Sequence, residues 1–412
     1  MISLLSISTL FSQTLAERQE ISNTYNQKEL SLLETELRQK FETNQRIAFD
    51  MAAQKGWETQ LILPNGGNAL LVGIFDDQTP KYYATYNREG CITTRADRLH
   101  TGGASGLNLN GENMIAGVWD GGSVRGTHNL LVGRTTQLDN PESISNHATH
   151  VSGTMIGSAD QFNGLAKGMA PMAELLAYDF GNDESEMTNE ASQGMIISNH
   201  SYGIYADNLP LWRLGYYDNN ARDIDRIIYN APYYLPVVAA GNDRQSGVNT
   251  TDGGYDYLTD KAVAKNNMVV AATFEVLDYQ DASDVFMSSF SSWGPTDDGR
   301  IKPDISAKGV NMLSSTGTSN NAYGNSSGTS MSSPNVSGSL ILLQQHYNNL
   351  NQEYMLASTL RALTLHTADE AGNNPGPDYR FGWGLMNSER AAALISDDTD
   401  HSMIITQTLD AN

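Results

Sequence analysis

The sequence predicts an α/β architecture: a doubly wound, mostly parallel sheet flanked by helices and preceded by a small α+β unit. Three observations predict it. Short apolar runs at 114–119, 175–178, 195–198, 235–240 and 268–273 are separated by helix-length stretches, and strands buried on both faces of a parallel sheet look like this. Several runs end in polar or glycine residues, at Asp120-Gly121-Gly122, Asn199-His200-Ser201 and Gly241-Asn242-Asp243; in open α/β sheets, sites lie beyond the carboxyl ends of the strands. Ahead of the first run the texture differs, with one long amphipathic pattern followed by alternating ones.

Taken in order, residues 2–16 (ISLLSISTLFSQTLA) read as the apolar part of a secretory signal peptide without its basic n-region, an ordinary N-terminal helix being the alternative. From Gln27 to Lys55, Leu30, Leu33, Leu37, Phe41, Ile47 and Met51 recur at near three- and four-residue steps, and Gly56 ends the run. That spacing predicts an amphipathic helix. It is short for a coiled coil and lacks clear charge pairing, so a packing helix is expected. Thr59–Leu63 and Ala69–Phe75, joined by Pro64-Asn65-Gly66-Gly67, and then Lys81–Tyr86 predict an antiparallel meander. With the helix it makes a compact unit over 17–90. Residues 91–110, polar and Gly-rich with a charged patch at Arg95–Arg98, are expected to form an exposed linker. The sheet domain follows over 111–395, and 396–412 is a C-terminal extension in which SMIITQTL (402–409) is placed to begin another strand.

Composition narrows the partners. A formal charge of −22, from 25 Lys+Arg against 47 Asp+Glu, lacks the basic stripe that phosphate binding draws on, so no nucleic-acid partner is expected. Acidity also supplies oxygen ligands, which leaves structural Ca²⁺ open; Asp183, Glu184, Glu186 and Glu190 are its candidates against a solvated acidic loop. The single cysteine, Cys91, forms no intrachain disulfide and reads as a spectator thiol ahead of the sheet domain. No apolar run reaches the roughly 18 residues of a membrane span.

The chemistry is carried by three separated segments. Acyl transfer to serine needs a nucleophile, a base within hydrogen-bond reach and an acid group that holds the base's tautomer. Asp120 ends an apolar strand. His147 lies in NHATHVSGTMIG, at the first turn of a predicted helix, and Ser330 lies in SSGTSMSSPNVSGSLILL, where small residues give way to a buried helix. A serine there meets free backbone N–H groups and the positive helix end, both favourable to an oxyanion. Asn242, after LPVVAAG, supplies a second donor.

The segments IAGVWDGG, NHATHVSGT and SGTSMSSP, in that order, resemble the Asp, His and Ser signatures of the subtilisin-like serine proteases. SNHSYG is similar to that family's substrate-binding strand, VVAAGN to its oxyanion-hole segment, KPDISAKG to the loop ahead of the serine, and YRFGWGLMNSERA to its closing helix. The similarity covers about 107–394. It implies a secreted serine endopeptidase made as a precursor, with 17–90 as its prodomain, Asp120, His147 and Ser330 as the triad and Asn242 in the oxyanion hole. Ser201, Tyr202, Gly203, Ala239, Ala240 and Gly241 would flank an extended substrate, and small residues on both walls suggest a roomy pocket and broad specificity. The implied partners are a protein or peptide substrate and the chain's own prodomain, with the enzyme a monomer and no cofactor needed for chemistry.

Departures from the family pattern are Ala148 in place of glycine, Ser332 in place of alanine, Lys308 in place of proline and Gly121 where a small polar residue often stands. None removes a catalytic group. Rival readings are weaker. The pair His147 and His150 has H-x-x-H spacing but is not HExxH, which disfavours zinc; the resemblance makes His147 catalytic and leaves His150 a supporting role. An inactive binding protein on the same fold would not need every catalytic group. An α/β-hydrolase esterase would carry G-x-S-x-G and a later histidine, whereas GTSMS lacks the second glycine and the histidine precedes the serine.

Overall fold

The computed structural model describes residues 15–62, 68–85, 90–158, 166–401 and 403–407. Helix α1 (Leu15–Asn23) leads into α2 (Gln27–Lys55). The side chain of Asn26 accepts from Glu29 N to cap α2, and Gly56 closes it at φ 72°, the left-handed conformation that glycine enters without a Cβ penalty. Leu30, Leu33 and Leu37 are buried as the periodicity requires. Strands β1 (Gln60–Ile62), β2 (Asn68–Ile74) and β3 (Pro80–Thr85) form the antiparallel meander. Residues 2–14 of the predicted signal and the 64–67 turn lie outside the described residues.

The stretch expected as an exposed linker is instead built into the sheet domain, around a short helix α3 (Ala96–Leu99). Thr93, Thr94, Ala96, Leu99 and His100 are buried. Arg95 pairs with Asp369 at 2.6 Å, and Thr94 Oγ1 donates to Asn335 Oδ1 at 3.0 Å. Polar composition misled here because the burial is satisfied by specific partners far along the chain, which leave no apolar periodicity. Cys91 packs in the same region, and burial pushes its thiol up to about 12, which suits an inert thiol.

The domain continues through β4 (Ile115–Asp120), β5 (Thr135–Gln137), α4 (Asn146–Ile156), β6 (Glu174–Asp179), α5 (Asp183–Ser192), β7 (Ile197–His200), β8 (Tyr202–Ile204), α6 (Asn219–Asn230), β9 (Leu235–Ala239), β10 (Met268–Thr273) and β11 (Ile305–Lys308). A two-stranded ribbon, β12 (Met312–Ser315) and β13 (Tyr323–Ser326), precedes α7 (Thr329–Asn351), α8 (Ala357–His366) and α9 (Ser388–His401). Seven strands make one parallel sheet in the order β11-β10-β9-β7-β4-β6-β5. The apolar runs form its interior, and α7 packs across β7, β9, β10 and β11. Edge strands β5 and β11 escaped the reading. TTQ is short and polar, and ISAK falls in the segment expected to be a loop.

Two further segments differ in structure from the expectation. The acidic run at 183–190 is helical where a loop was expected: it lies in α5, with Asp183, Glu184 and Glu186 in the first turn at the positive helix end. Its side chains are engaged by the protein: Asp183 pairs with Lys261 at 2.9 Å, Glu186 accepts from Trp119 Nε1 at 3.0 Å and Glu190 from the Tyr178 hydroxyl at 2.8 Å. Among the described residues no group of three or more His, Cys, Asp or Glu is arranged to hold a metal ion. At the C-terminus α9 runs through His401, past the expected boundary at 396, and 403–407 form no strand. Among the described residues no helix is long and apolar enough to cross a membrane.

Candidate active site

Strand β4 lies between β6 and β7, so the chain reverses its direction of progress across the sheet at β4, the kind of position where α/β sheets place their sites. Asp120 is the last residue of β4 and is 1% exposed. Its Oδ1 lies 2.5 Å from His147 Nδ1 and accepts from Gly121 N at 2.8 Å. A carboxylate can only accept, so His147 Nδ1 carries the hydrogen, and in the neutral imidazole Nε2 is then the acceptor.

His147 owes its position to the start of α4. Ser145 caps the helix, its Oγ accepting from Ala148 N at 3.1 Å. Ala148 lies inside the helix and is fully buried; right-handed helical angles suit alanine, so this departure is harmless. His150 Nε2 is 3.3 Å from the Met312 carbonyl and 3.2 Å from that of Gly324, which ties α4 to the β12–β13 ribbon.

Ser330 is the second residue of α7 and fully buried. Its Oγ donates to the Ser201 carbonyl at 2.9 Å, while Ser201 Oγ donates to the Ser330 carbonyl at 2.8 Å. The second bond has a sequence cause. Pro334 has no N–H to offer the carbonyl four residues back, so the Ser330 carbonyl loses its helical partner and Ser201 replaces it. Asn199 reinforces the junction, with Nδ2 donating to Ser201 Oγ at 2.9 Å and Oδ1 accepting from Ser333 and Ser337 at 2.8 and 2.9 Å. Ser332, the second departure, spends its hydroxyl on the Thr329 carbonyl at 2.8 Å. The third, Lys308, pairs with Glu275 at 2.7 Å.

Strand register places these two pairs side by side. Trp119 pairs with His200 and His200 with Val238, so Asp120 and Ser201 come next on neighbouring strands about 4.8 Å apart. Asn242 follows β9 on the other side of β7. Its Oδ1 accepts from Thr329 N at 2.8 Å and from Thr329 Oγ1 at 3.0 Å. A backbone N–H must donate, which fixes the amide's orientation and leaves Nδ2 as a donor at the start of α7. Asn242→Ala should therefore lower kcat by about 10²- to 10³-fold with little change in KM, the size of effect found for an oxyanion donor in a subtilisin. Steady-state kinetics on a peptide substrate decide it, and a pure KM effect would place Asn242 in ground-state binding instead.

The two expected substrate walls face each other. Tyr202 and Gly203 on one side and Ala239, Ala240 and Gly241 on the other line a cavity of about 10 Å³, space for a single water. Asp243 and Lys261 also line it. Burial, aided by the nearby Asp207 charge, pushes the Asp243 carboxyl up to about 7. The sequence places Asn199 and Asp243 at strand ends without giving either a role; Lys261 went unnoticed because it meets the site only through the fold.

A model of the subtilase family matches residues 67–384. The chain is 49% identical over 92 residues to the C5a peptidase of Streptococcus pyogenes serotype M3 (strain ATCC BAA-595 / MGAS315), covering 22% of this chain and 8% of that protein. It is 42% identical over 147 residues to the PIII-type proteinase of Lactococcus lactis subsp. cremoris (strain SK11), covering 34% of this chain and 7% of that one. The match thus spans less than a tenth of the length of these relatives. Among solved structures, the self-cleaved protease domain of PatA superposes with a TM-score of 0.53 at 22% identity, covering 70% of this chain and 98% of that one. The prenylagaramide maturation protease PagA gives 0.51 at 22%, covering 68% and 93%. These structures share the fold.

Proposed function

The chain belongs to the subtilase family, and from that premise we propose that it is a serine endopeptidase with Ser330 as its nucleophile, His147 its general base and acid, and Asp120 the group that orients His147. The observation that carries the assignment is the register that brings the Asp120–His147 and Ser201–Ser330 pairs onto neighbouring strand ends. In this mechanism the Ser330 hydroxyl turns from the Ser201 carbonyl to His147 Nε2, gives up its proton there and attacks the scissile carbonyl carbon. Asn242 Nδ2 and the Ser330 N–H receive the oxyanion. His147 then protonates the departing amine as the C–N bond breaks, and water repeats the cycle on the acyl-enzyme to release the acid.

A substrate strand aligned with β8 would gain affinity from main-chain hydrogen bonds, which accept most sequences; broad specificity follows from that more than from the narrow cavity. The protein is read as secreted on the strength of the apolar residues 2–16.

The N-terminal unit is read as a prodomain. Its strand β3 pairs antiparallel with β8, Thr85 opposite Tyr202 and Ala84 opposite Gly203, which occupies the edge a substrate would use. Ion pairs fasten it, Lys40 to the buried Asp223 and Arg226 to Glu36 at 2.9 Å. Beyond Gly90, whose carbonyl accepts from Asn335 of α7, the chain enters the buried Thr93–Arg95 segment, and buried backbone resists cleavage. The first bond cut should thus precede Thr93. Intact-mass measurement tests this: wild type should accumulate without the unit that ends at about residue 90, and Ser330→Ala should stay full length. A wild-type chain that is full length and fully active would make residues 17–90 a permanent accessory domain.

A further inference from the structure

We propose that Tyr202 and Asp183 are positioning residues that hold β8 in register for the substrate through a buried hydrogen-bond chain of fixed direction. The proposal rests on the reading that a peptide pairs with β8. While β3 is in place, β8 is held by strand pairing along its three residues. Once β3 leaves, its side chains must hold it. Gly203 has none, Ile204 is buried in the apolar core, and the Tyr202 ring is 1% exposed with polar partners at its tip.

Those partners define a direction. The Tyr202 hydroxyl donates to Asp183 Oδ2 at 2.6 Å, because a carboxylate only accepts. His200 Nδ1, 2.9 Å from the same hydroxyl, must therefore donate to it. That tautomer leaves His200 Nε2 as an acceptor, filled by Ser198 Oγ at 2.7 Å, and Ser198 in turn accepts from the Tyr234 hydroxyl at 2.6 Å. Burial lowers His200 to about 3, which keeps it neutral as the chain requires. At the other end Lys261 Nζ lies 2.9 Å from Asp183 and 3.5 Å from Asp260. Tyr234, Ser198, His200, Asp183 and Lys261 are all buried, so moving the Tyr202 ring would strand a donor on His200 and take from Asp183 Oδ2 one of its two partners, leaving Lys261. Unsatisfied buried groups are costly, and that cost fixes β8. The anchor starts at the residue next to Ser201, which is bonded to Ser330 in both directions.

Kinetics on the mature Tyr202→Phe enzyme test this, with active sites counted by a serine-directed phosphonylating reagent. A peptide of about eight residues, long enough to pair along β8, should show KM raised about tenfold with kcat per titrated site unchanged. A single-residue ester, which cannot pair along the length of β8, should lose less in KM than the long peptide. Asp183→Asn, which keeps an acceptor for the phenol but loses the charge, should raise KM for the long peptide by less, and it carries the same test if Tyr202→Phe does not fold. Equal losses on both substrates, or an unchanged KM on the long one in either variant, would overturn the proposal. Failure of the reagent to titrate wild type would instead count against the Ser330 assignment.

Discussion

Ser330→Ala is expected to abolish peptide hydrolysis while leaving the fold intact. In the proposed mechanism this hydroxyl becomes the acyl ester, and its loss removes every later step. The expected fall in kcat is on the order of 10⁶-fold, the size found when the nucleophile is removed from a subtilisin, a member of the same family, and not a value calculated for this chain. Folding should survive because alanine suits a helix and only one of the two Ser201–Ser330 bonds is lost; the Ser201 hydroxyl still reaches the residue-330 carbonyl. A stability change within about 1 kcal/mol is expected for one such bond. Casein turnover and thermal unfolding of the same preparation check both halves. Near-wild-type turnover would remove Ser330 from the mechanism.

Asp120→Asn should be the next most damaging change, by about 10⁴-fold in kcat, the loss that follows this substitution in a triad on an unrelated fold. The cause is the tautomer. The 2.5 Å contact requires a hydrogen on His147 Nδ1, whereas an amide at position 120 can donate and so permit the hydrogen to move to Nε2, where no base remains. Gly121 N donates to the same Oδ1, so an amide turned to donate to His147 gives up that backbone bond as well. kcat on a peptide substrate measures the effect; a loss under about tenfold would mean that Asp120 does not set the tautomer.

Much of the fold was legible because its signals are local. Leu30, Leu33 and Leu37 announce α2 by spacing, Gly56 ends it, and the apolar runs that become β4, β6, β7, β9 and β10 stand out against polar surroundings. The candidate triad was legible for a similar reason, since Asp120, His147 and Ser330 each sit where a strand or helix begins or ends. What stayed hidden depends on partners remote in sequence. Thr94 and Arg95 look like linker residues until Asn335 and Asp369 are beside them. Asp183 looks like part of a solvated acidic loop until Lys261 and Tyr202 meet it. Strand β5 is short, polar and at a sheet edge, where less apolar surface is needed; β11 is only four residues, two of them Ser306 and Lys308, and is covered by the remote Gly384–Met386 segment.

The most direct test is covalent labelling of the wild-type enzyme with a serine-directed fluorophosphonate, followed by digestion and mass mapping of the modified peptide. The adduct is expected on Ser330 alone, in one-to-one proportion with loss of casein-degrading activity, and Asp120→Asn should slow its formation. An adduct on another serine that tracks the loss of activity, or full activity with Ser330 completely modified, would contradict the assignment of Ser330 as the nucleophile.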